Sequence, residues 1–272
     1  MRVGFIGLGS QGGPMARRIV ESGWELTLWA RRPESLEPYA DTAAKIAGTP
    51  AELGAASDLV CLCVVGDDDV RQVLDGEDGV LAGMAPGGVI AVHSTVHPDT
   101  CRELAGLAAT KGLVLIDAPV SGGGPAVEAG TLMVMVGGDE AVVEKVRPVF
   151  ATYSDAIVHL GELGAGQVAK ILNNLQFSAN LGTAMSTLAL GDALGIPRDR
   201  LCEVLNRGSA TSKAIGSITM FGGTLEGLAP IAGALLQKDV RHAASLAEHA
   251  SAPEGSVFTA ADTALESMDH AR

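Results

Sequence analysis

The chain has 272 residues, of which 47% are hydrophobic and 19% are charged, and its formal net charge is −13. This composition excludes a disordered or fibrous chain and is typical of a globular enzyme. The acidic balance repels phosphate backbones and anionic membrane surfaces, so we predict no nucleic-acid partner and no membrane partner.

Strands and helices alternate along the first 160 residues. Helical periodicity is found at residues 14–23, 68–76 and 98–112, between short aliphatic runs of the strand type. This alternation predicts an α/β fold with a doubly wound parallel sheet covered by helices on both faces. The predicted strands lie at residues 2–7, 25–30, 58–65, 88–94, 113–119, 131–138 and 156–160.

A glycine-rich turn follows the first predicted strand. Gly7, Gly9 and Gly12 form the pattern G-x-G-x-x-G between an apolar run and a helical segment. Glycine permits the sharp turn and a close approach of the ligand, and the helix start directs unpaired N–H groups at a pyrophosphate. An incidental turn is the alternative, but this context is the one that a Rossmann dinucleotide-binding domain requires. The cofactor-binding residues predicted here are Gly7, Leu8, Gly9, Ser10, Gln11 and Gly12.

The second predicted strand indicates which dinucleotide binds. An NAD site usually places an acid at this strand end, where it binds the ribose 2′-hydroxyl. Here Arg31 and Arg32 stand instead, and guanidinium groups bind a 2′-phosphate through charge-assisted hydrogen bonds. We therefore predict NADP rather than NAD, the alternative being a solvated arginine pair.

The cysteines and the N-terminus bear on metal binding and location. Cys61, Cys63, Cys101 and Cys202 lack the spacing of a zinc site, so we predict reduced thiols and no metal. The apolar start of the chain belongs to the first strand and lacks the cleavage region of a signal peptide. We expect a cytoplasmic protein.

Two loops after predicted strands carry candidate ligand-binding groups. Ser121, Gly122 and Gly123 offer a hydroxyl and accessible backbone N–H groups that could hold a carboxylate. A flexible glycine turn is the alternative. Ser94 and Thr95 end another strand, and ligands of open α/β sheets bind at the carboxyl ends of strands.

After residue 162 the pattern changes to a long helical run at residues 168–195 and then to further helical segments. We predict a Rossmann domain at 1–162 and an all-helical domain at 163–272. Apolar residues fall on two faces of the long helix, which predicts burial nearly all round. At about 40 Å it is too long for a small domain to cover alone, so we predict that it is shared with another subunit. Lys170 and Asn174, four residues apart, lie on one face of it.

Together these motifs resemble the β-hydroxyacid dehydrogenase family, which includes 3-hydroxyisobutyrate dehydrogenase. The resemblance covers nearly the whole chain. It is carried by FIGLGSQGGPMA, the strand-end Arg31, HSTVHPDT, DAPVSGGGPAVEAGTLMVMVGG, GAGQVAKILNN and LLQKD. Gln11 departs from the family pattern, which often has Met, and Ser186 stands where a Glu is frequent.

The resemblance implies an NADP(H)-dependent oxidoreductase that interconverts a small 3-hydroxyacid and its aldehyde or keto form. Lys170 would be the catalytic acid/base, and Asn174 would hold the substrate beside it. The substrate carboxylate would be bound by Ser121, Gly122 and Gly123. Thr95, Val64, Val65 and Lys238 would contact the cofactor. A homodimer or homotetramer through the helical domain is expected.

Two other functions remain open from the sequence. An imine reductase has a similar fold and NADPH motif but usually lacks the lysine of the long helix, so Lys170 favours the dehydrogenase. A non-catalytic NADPH-binding or scaffold protein is the second alternative, because a fold does not establish a function. His93, His97 and His242 have no part in the implied mechanism and are predicted to be structural or surface residues.

Overall fold

The computed structural model describes residues 1–272, and the chain divides into a first unit, Met1–Lys170, and a second unit, Ile171–Arg272. The boundary between residues 162 and 163 stays a prediction. The first unit contains two sheets and the helices that connect their strands, and the second unit contains helices only.

A six-stranded parallel sheet forms the centre of the first unit, in the order β3-β2-β1-β4-β5-β6. The strand order reverses between β1 and β4, and ligands of doubly wound sheets bind beside that point. Every residue of β1, β4 and β5 is buried, as expected for parallel strands covered on both faces. The strands are β1 (Val3–Ile6), β2 (Leu26–Trp29), β3 (Lys45–Ile46), β4 (Leu59–Leu62), β5 (Val89–Val92) and β6 (Val114–Asp117).

Helices cover both faces of this sheet and enclose two separate apolar clusters. Met15, Ile19 and Phe150 belong to one cluster, and Leu53, Leu74 and Leu104 belong to the other. The predicted doubly wound fold is confirmed. The helices that connect the strands are α1 (Gly12–Glu21), α2 (Pro50–Ala55), α3 (Asp67–Asp75), α4 (Val80–Gly83) and α5 (Pro98–Thr110), together with a 3₁₀ helix at Pro33–Tyr39.

The last two predicted strands do not belong to the parallel sheet, so that part of the prediction was wrong. The chain reverses after residue 121, so residues 117–121 pair antiparallel with residues 133–137, and the N–H of Met135 donates to the carbonyl of Pro119 over 2.9 Å. A separate three-stranded sheet, β7-β8-β9, results, in which β7 runs antiparallel to β8 and β8 runs parallel to β9. Its elements are β7 (Val120–Ser121), α6 (Gly123–Ala129), β8 (Leu132–Val136), α7 (Glu140–Phe150) and β9 (Ser154–His159).

The long helix α8 (Ala165–Ala193) begins in the first unit and continues into the second. Its 29 residues correspond to about 40 Å. The other helices of the second unit are α9 (Arg198–Arg207), α10 (Lys213–Met220), α11 (Ala234–His249) and α12 (Gly255–Glu266), with a π-helical turn at Ala229–Gly233. None of the helices combines the length and the apolarity that crossing a bilayer requires.

Burial of α8 nearly all round was predicted, and the structure shows otherwise. Ile171, Leu181 and Leu188 are fully buried in the core of the second unit. On another face, Leu172 and Leu190 are 54% and 60% exposed. The helices of one chain cover one face of α8, whereas the apolar sequence pattern extends round the helix.

Candidate active site

The glycine-rich turn connects β1 to α1 at the carboxyl end of the parallel sheet. Gly7 has a φ of +98°, and a Cβ there would collide with the carbonyl of Cys63. A Cβ on Gly12 would collide with the carbonyl of Gly7. No atom lies within 4 Å of the Cβ position of Gly9. Two glycines therefore permit the turn and the packing of α1, and the middle one leaves open space for a ligand.

The first turn of α1 is open to an anion. Its N-cap is Gln11, whose side chain makes no cap hydrogen bond. The N–H of Gly13 donates to the carbonyl of Gly9 over 2.9 Å, and no side-chain anion occupies this helix start, where the dipole favours a bound anion. The side-chain oxygen of Gln11 is itself buried without a hydrogen-bond partner. This loop fits a dinucleotide on two counts: the space at Gly9 and an unsatisfied polar atom beside it.

A cleft of about 520 Å³ lies next to this turn, at the carboxyl ends of β1, β2 and β4. The structure brings together there most of the residues predicted to bind the cofactor. Five of the predicted residues are not in the wall: Ser10, Gln11, Gly12, Thr95 and Lys238. Sequence reasoning did not identify Trp29, Asp69, Glu77 and Asp78, which also line the cleft. The predicted residues in its wall are Gly7, Leu8, Gly9, Arg31, Arg32, Val64 and Val65.

Both arginines at the end of β2 face a carboxylate. The Nη1 atom of Arg31 lies 3.2 Å from Oδ1 of Asp69, which is in the first turn of α3. The Arg31 side chain is 68% exposed and that of Asp69 is 27% exposed. Arg32 lies 3.9 Å from Glu34. The cations predicted to bind a 2′-phosphate are therefore accessible, and one of them already has an acidic partner in the cleft.

The loop that carries Thr95 is held at both ends by one side chain. Nε2 of Gln167 donates to the carbonyl of Ser94 over 2.8 Å, and its Oε1 accepts from the N–H of Val96 over 3.1 Å. The hydroxyl of Ser94 in turn accepts from the N–H of Val64 over 2.8 Å. Thr95 is thus fixed between two anchored residues, and the loop is tied to the end of β4.

Asp117 ties the start of α8 to the end of β6. Its buried carboxylate accepts from the N–H groups of Gly164 over 2.6 Å and of Gln167 over 2.7 Å. Burial raises the pKa of Asp117, and these backbone hydrogen bonds oppose that shift. Lys170 lies one turn further along α8 and is partly exposed. Asp117 and Gln167, neither of which the sequence singled out, thus fix the helix turn that precedes Lys170.

Ser121, Gly122 and Gly123 lie where β7 leads into α6. Gly122 and Gly123 have φ values of +137° and +72°, which side chains other than hydrogen rarely allow. A Cβ on the next residue, Gly124, would lie 3.2 Å from the carbonyl of Ser10. The segment predicted to bind a carboxylate is therefore a neighbour of the glycine-rich turn.

In the second unit, Asn174 and Lys238 are joined through Asp239. The amide of Asn174 donates to Oδ2 of Asp239 over 2.5 Å, and the Nζ of Lys238 lies 3.2 Å from its Oδ1. Asp239 is buried. Its only sequence signal was its place in the motif LLQKD, and the sequence gave no reason to pair it with Asn174.

His93 belongs to the core of the first unit. Its Nδ1 lies 2.6 Å from the carbonyl of Ala118, and its Nε2 lies 3.3 Å from the hydroxyl of Tyr153. The ring stacks on Phe5 and meets Phe150 edge-on. Burial lowers the pKa of His93 to about 4, so the neutral ring is a packing residue.

The sheet topology, the glycine-rich turn and the cleft define a pyridine-nucleotide-binding Rossmann protein. Residues 2–161 match the model for the NAD-binding domain of 6-phosphogluconate dehydrogenase. Residues 164–270 match the model described as the NAD-binding region of NADP-dependent 3-hydroxyisobutyrate dehydrogenase.

The chain is also similar to individual enzymes and to solved structures. The chain is 35% identical over 215 residues to 2-(hydroxymethyl)glutarate dehydrogenase of Eubacterium barkeri, covering 79% of this chain and 71% of the relative. It is 33% identical over 225 residues to NAD-dependent L-serine dehydrogenase of Pseudomonas aeruginosa, covering 83% and 76%. The solved structure of Mycobacterium tuberculosis 3-hydroxyisobutyrate dehydrogenase with L-serine has a TM-score of 0.85 at 28% identity, covering 100% of this chain and 96% of that one.

The chain therefore belongs to the β-hydroxyacid dehydrogenase family, as the sequence motifs implied. It is an oxidoreductase of the hydroxyacid dehydrogenase class with a pyridine-nucleotide-binding domain. Its relatives are named for several substrates.

Proposed function

We propose that this enzyme uses NADP(H) to interconvert a short 3-hydroxyacid and its aldehyde or keto form, with Lys170 as the acid/base. The observation that carries the proposal is the anchoring of the start of α8. Asp117 and Gln167 hold that start to the ends of the strands, and α8 then presents Lys170 and Asn174 one turn apart.

The chemistry assigns one task to each group. When bound, the nicotinamide supplies or accepts the hydride at the carbon that bears the hydroxyl. Lys170 removes the hydroxyl proton in the oxidation and returns it in the reduction, and its positive charge stabilises the developing oxyanion. Asn174 holds the substrate beside Lys170 through its amide.

The substrate carboxylate needs local hydrogen-bond donors, because a chain of net charge −13 repels anions on average. We assign this role to the hydroxyl of Ser121 and to the backbone N–H groups of Gly122 and Gly123. The positive φ values of both glycines are typical of the backbone conformations that form anion-binding concavities.

We propose NADP rather than NAD because Arg31 and Arg32 follow the end of β2 at Trp29, where an NAD site usually has an acid. The family description of residues 164–270 as the NADP-dependent type supports this choice. We assign contacts with the nicotinamide end of the cofactor to Thr95, Val64 and Val65. We assign to Lys238 a contact that closes over the bound cofactor.

A substrate and cofactor screen tests the proposal. Purified enzyme is assayed with short 3-hydroxyacids and NADP⁺, with the matching aldehydes and NADPH, and with NAD(H) in parallel. Turnover of a hydroxyacid with NADP⁺ is the expected result. Turnover of a cyclic imine alone would favour an imine reductase, and nucleotide binding without any turnover would favour a non-catalytic protein. A tenfold preference for NAD would contradict the role assigned to Arg31.

The exposed apolar face of α8 supports the predicted assembly. Leu172, Leu190 and Leu194 are 54%, 60% and 70% exposed on the helix and just past its end, with exposed polar residues between the first two. Large exposed apolar side chains are candidates for an interface. We propose a homodimer or homotetramer that buries this face in the helical unit. The assembly is expected to act in the cytoplasm with its four free cysteines reduced, and cell fractionation checks the location.

A further inference from the structure

We propose that Asp69 is a specificity-determining residue that weakens the preference of this cleft for NADP over NAD. The inference rests on the proposed function, in which Arg31 binds the 2′-phosphate. It deepens that function by assigning opposite roles in cofactor choice to two residues that form an ion pair.

The geometry places Asp69 where it acts on the same ligand group as Arg31. The two side chains line one cleft, and their charged atoms lie 3.2 Å apart. Asp69 reaches this position from the first turn of α3, whereas Arg31 follows β2.

Two consequences follow for a nucleotide with a 2′-phosphate. The guanidinium of Arg31 must share its hydrogen bonds with Asp69 or leave it, which reduces the gain from binding the phosphate. The carboxylate of Asp69 also repels a phosphate of like charge. Glu77 and Asp78 line the same cleft and make its lining more acidic.

For a nucleotide with a free 2′-hydroxyl, the same carboxylate is favourable. An NAD site needs an acid that accepts a hydrogen bond from this hydroxyl. Ala30 and Arg31 provide none at the end of β2, but Asp69 supplies a carboxylate to the cleft from α3. The cleft therefore offers a cation for NADP and an acceptor for NAD, and we expect both nucleotides to bind to the wild-type protein.

The test measures nucleotide affinity directly, without a substrate. Trp29 lines the cleft, so its fluorescence reports the binding of NADP⁺ and NAD⁺, and calorimetry gives an independent Kd. The variant is Asp69→Asn, and Asp69→Ser is a second neutral replacement. Asp68→Asn is the matched control, because Asp68 occupies the same helix turn, is exposed and lies outside the wall of the cleft.

Asp69→Asn is expected to tighten NADP⁺ binding about tenfold, since it removes a charge close to the phosphate. NAD⁺ binding is expected to stay the same or to weaken, and Asp68→Asn is expected to change both affinities less than about twofold. Asp69→Glu is expected to return the selectivity towards that of the wild type. The shift should shrink between 0.1 M and 1 M salt, as the screening length falls from about 10 Å to about 3 Å.

Two results would overturn the inference: equal selectivity in Asp69→Asn and Asp68→Asn, or weaker NADP⁺ binding in Asp69→Asn, which would mean that Asp69 orients Arg31 for the phosphate. The NADP proposal fails separately, when Arg31→Ala leaves the NADP⁺ affinity unchanged. The Asp69 and Arg31 variants thus distinguish the failure of one proposal from the failure of the other.

Discussion

At the scale of single residues, Lys170 carries the proposed proton transfer. Lys170→Ala should lower kcat by about 10²- to 10⁴-fold, which is the usual contribution of a positioned acid/base. Nucleotide affinity should be unchanged, because Lys170 is not in the wall of the cleft. Steady-state kinetics and nucleotide titration measure the two effects.

The control for this change is Lys145→Ala, which removes the same charge from an exposed position of α7. It should leave kcat within about twofold of the wild type, as surface substitutions usually do. Near-normal turnover in Lys170→Ala would show that another group moves the proton.

His93 makes stability depend on pH. Burial lowers its folded-state pKa to about 4, while an unfolded chain has a value of about 6.5. The unfolded state therefore binds more protons than the folded state between these two pH values. The contribution of neutral His93 to the stability of the folded state is complete above about pH 6.5 and is lost as the pH falls towards 4. The loss amounts to about 3 kcal/mol at about 1.4 kcal/mol per pKa unit.

Urea unfolding of wild type and His93→Gln between pH 7 and pH 4.5 checks this expectation. The free energy of unfolding of the variant should vary less with pH, because the titrating group is gone. His249→Gln, at an exposed position, should keep the wild-type profile. Parallel profiles for wild type and His93→Gln would assign the pH dependence to other groups.

At the scale of secondary-structure elements, Gln167 fixes the Thr95 loop to α8. Gln167→Ala leaves the carbonyl of Ser94 and the N–H of Val96 without this partner, which should lower the free energy of unfolding by about 2 to 4 kcal/mol. Misplacement of the loop and of the Lys170 turn should lower kcat/KM by about 10²-fold. Thermal unfolding and kinetics measure the two losses.

Gln176→Ala serves as the control on the same helix, because Gln176 is exposed and its side chain donates to Asn180 on the same helix. It should change neither quantity beyond experimental error. If Gln167→Ala lost stability but kept its full kcat/KM, the hydrogen bonds from Gln167 to the Thr95 loop would matter for folding alone.

Elements with regular apolar patterns were predictable from the sequence, and pairings between distant segments were not. The buried runs of β1, β4 and β5 identified their strands directly. β3 and β7, with two residues each, are too short to show a period. The Arg31–Asp69 and Asn174–Asp239 contacts join segments 38 and 65 residues apart, and no local pattern records such a pairing.

At the scale of the whole molecule, the exposed face of α8 determines the expected assembly. Leu190→Glu places a charge on that face, where Leu190 is 60% exposed in the single chain. We expect the dimer or tetramer to dissociate at concentrations at which the wild type stays assembled, because burying an unpaired charge is costly. Sedimentation velocity measures the mass.

The matched control is Leu107→Glu, on α5 of the first unit, where Leu107 is 37% exposed. It should leave the assembly intact. A wild-type protein that sediments as a monomer, or equal behaviour of the two variants, would rule out an interface on α8.

The backbone N–H groups at the starts of α1 and α8 differ in their hydrogen-bond partners. At α8, the carboxylate of Asp117 already occupies N–H groups that a ligand anion would otherwise use. At α1, Gln11 provides no such cap. A phosphate gains little at a helix start whose N–H groups an internal carboxylate already occupies, so α1 is the better of these two sites for a ligand phosphate. The buried carboxylate of Asp117 thus takes the place of a ligand anion at the start of α8, the helix that carries the proposed acid/base Lys170.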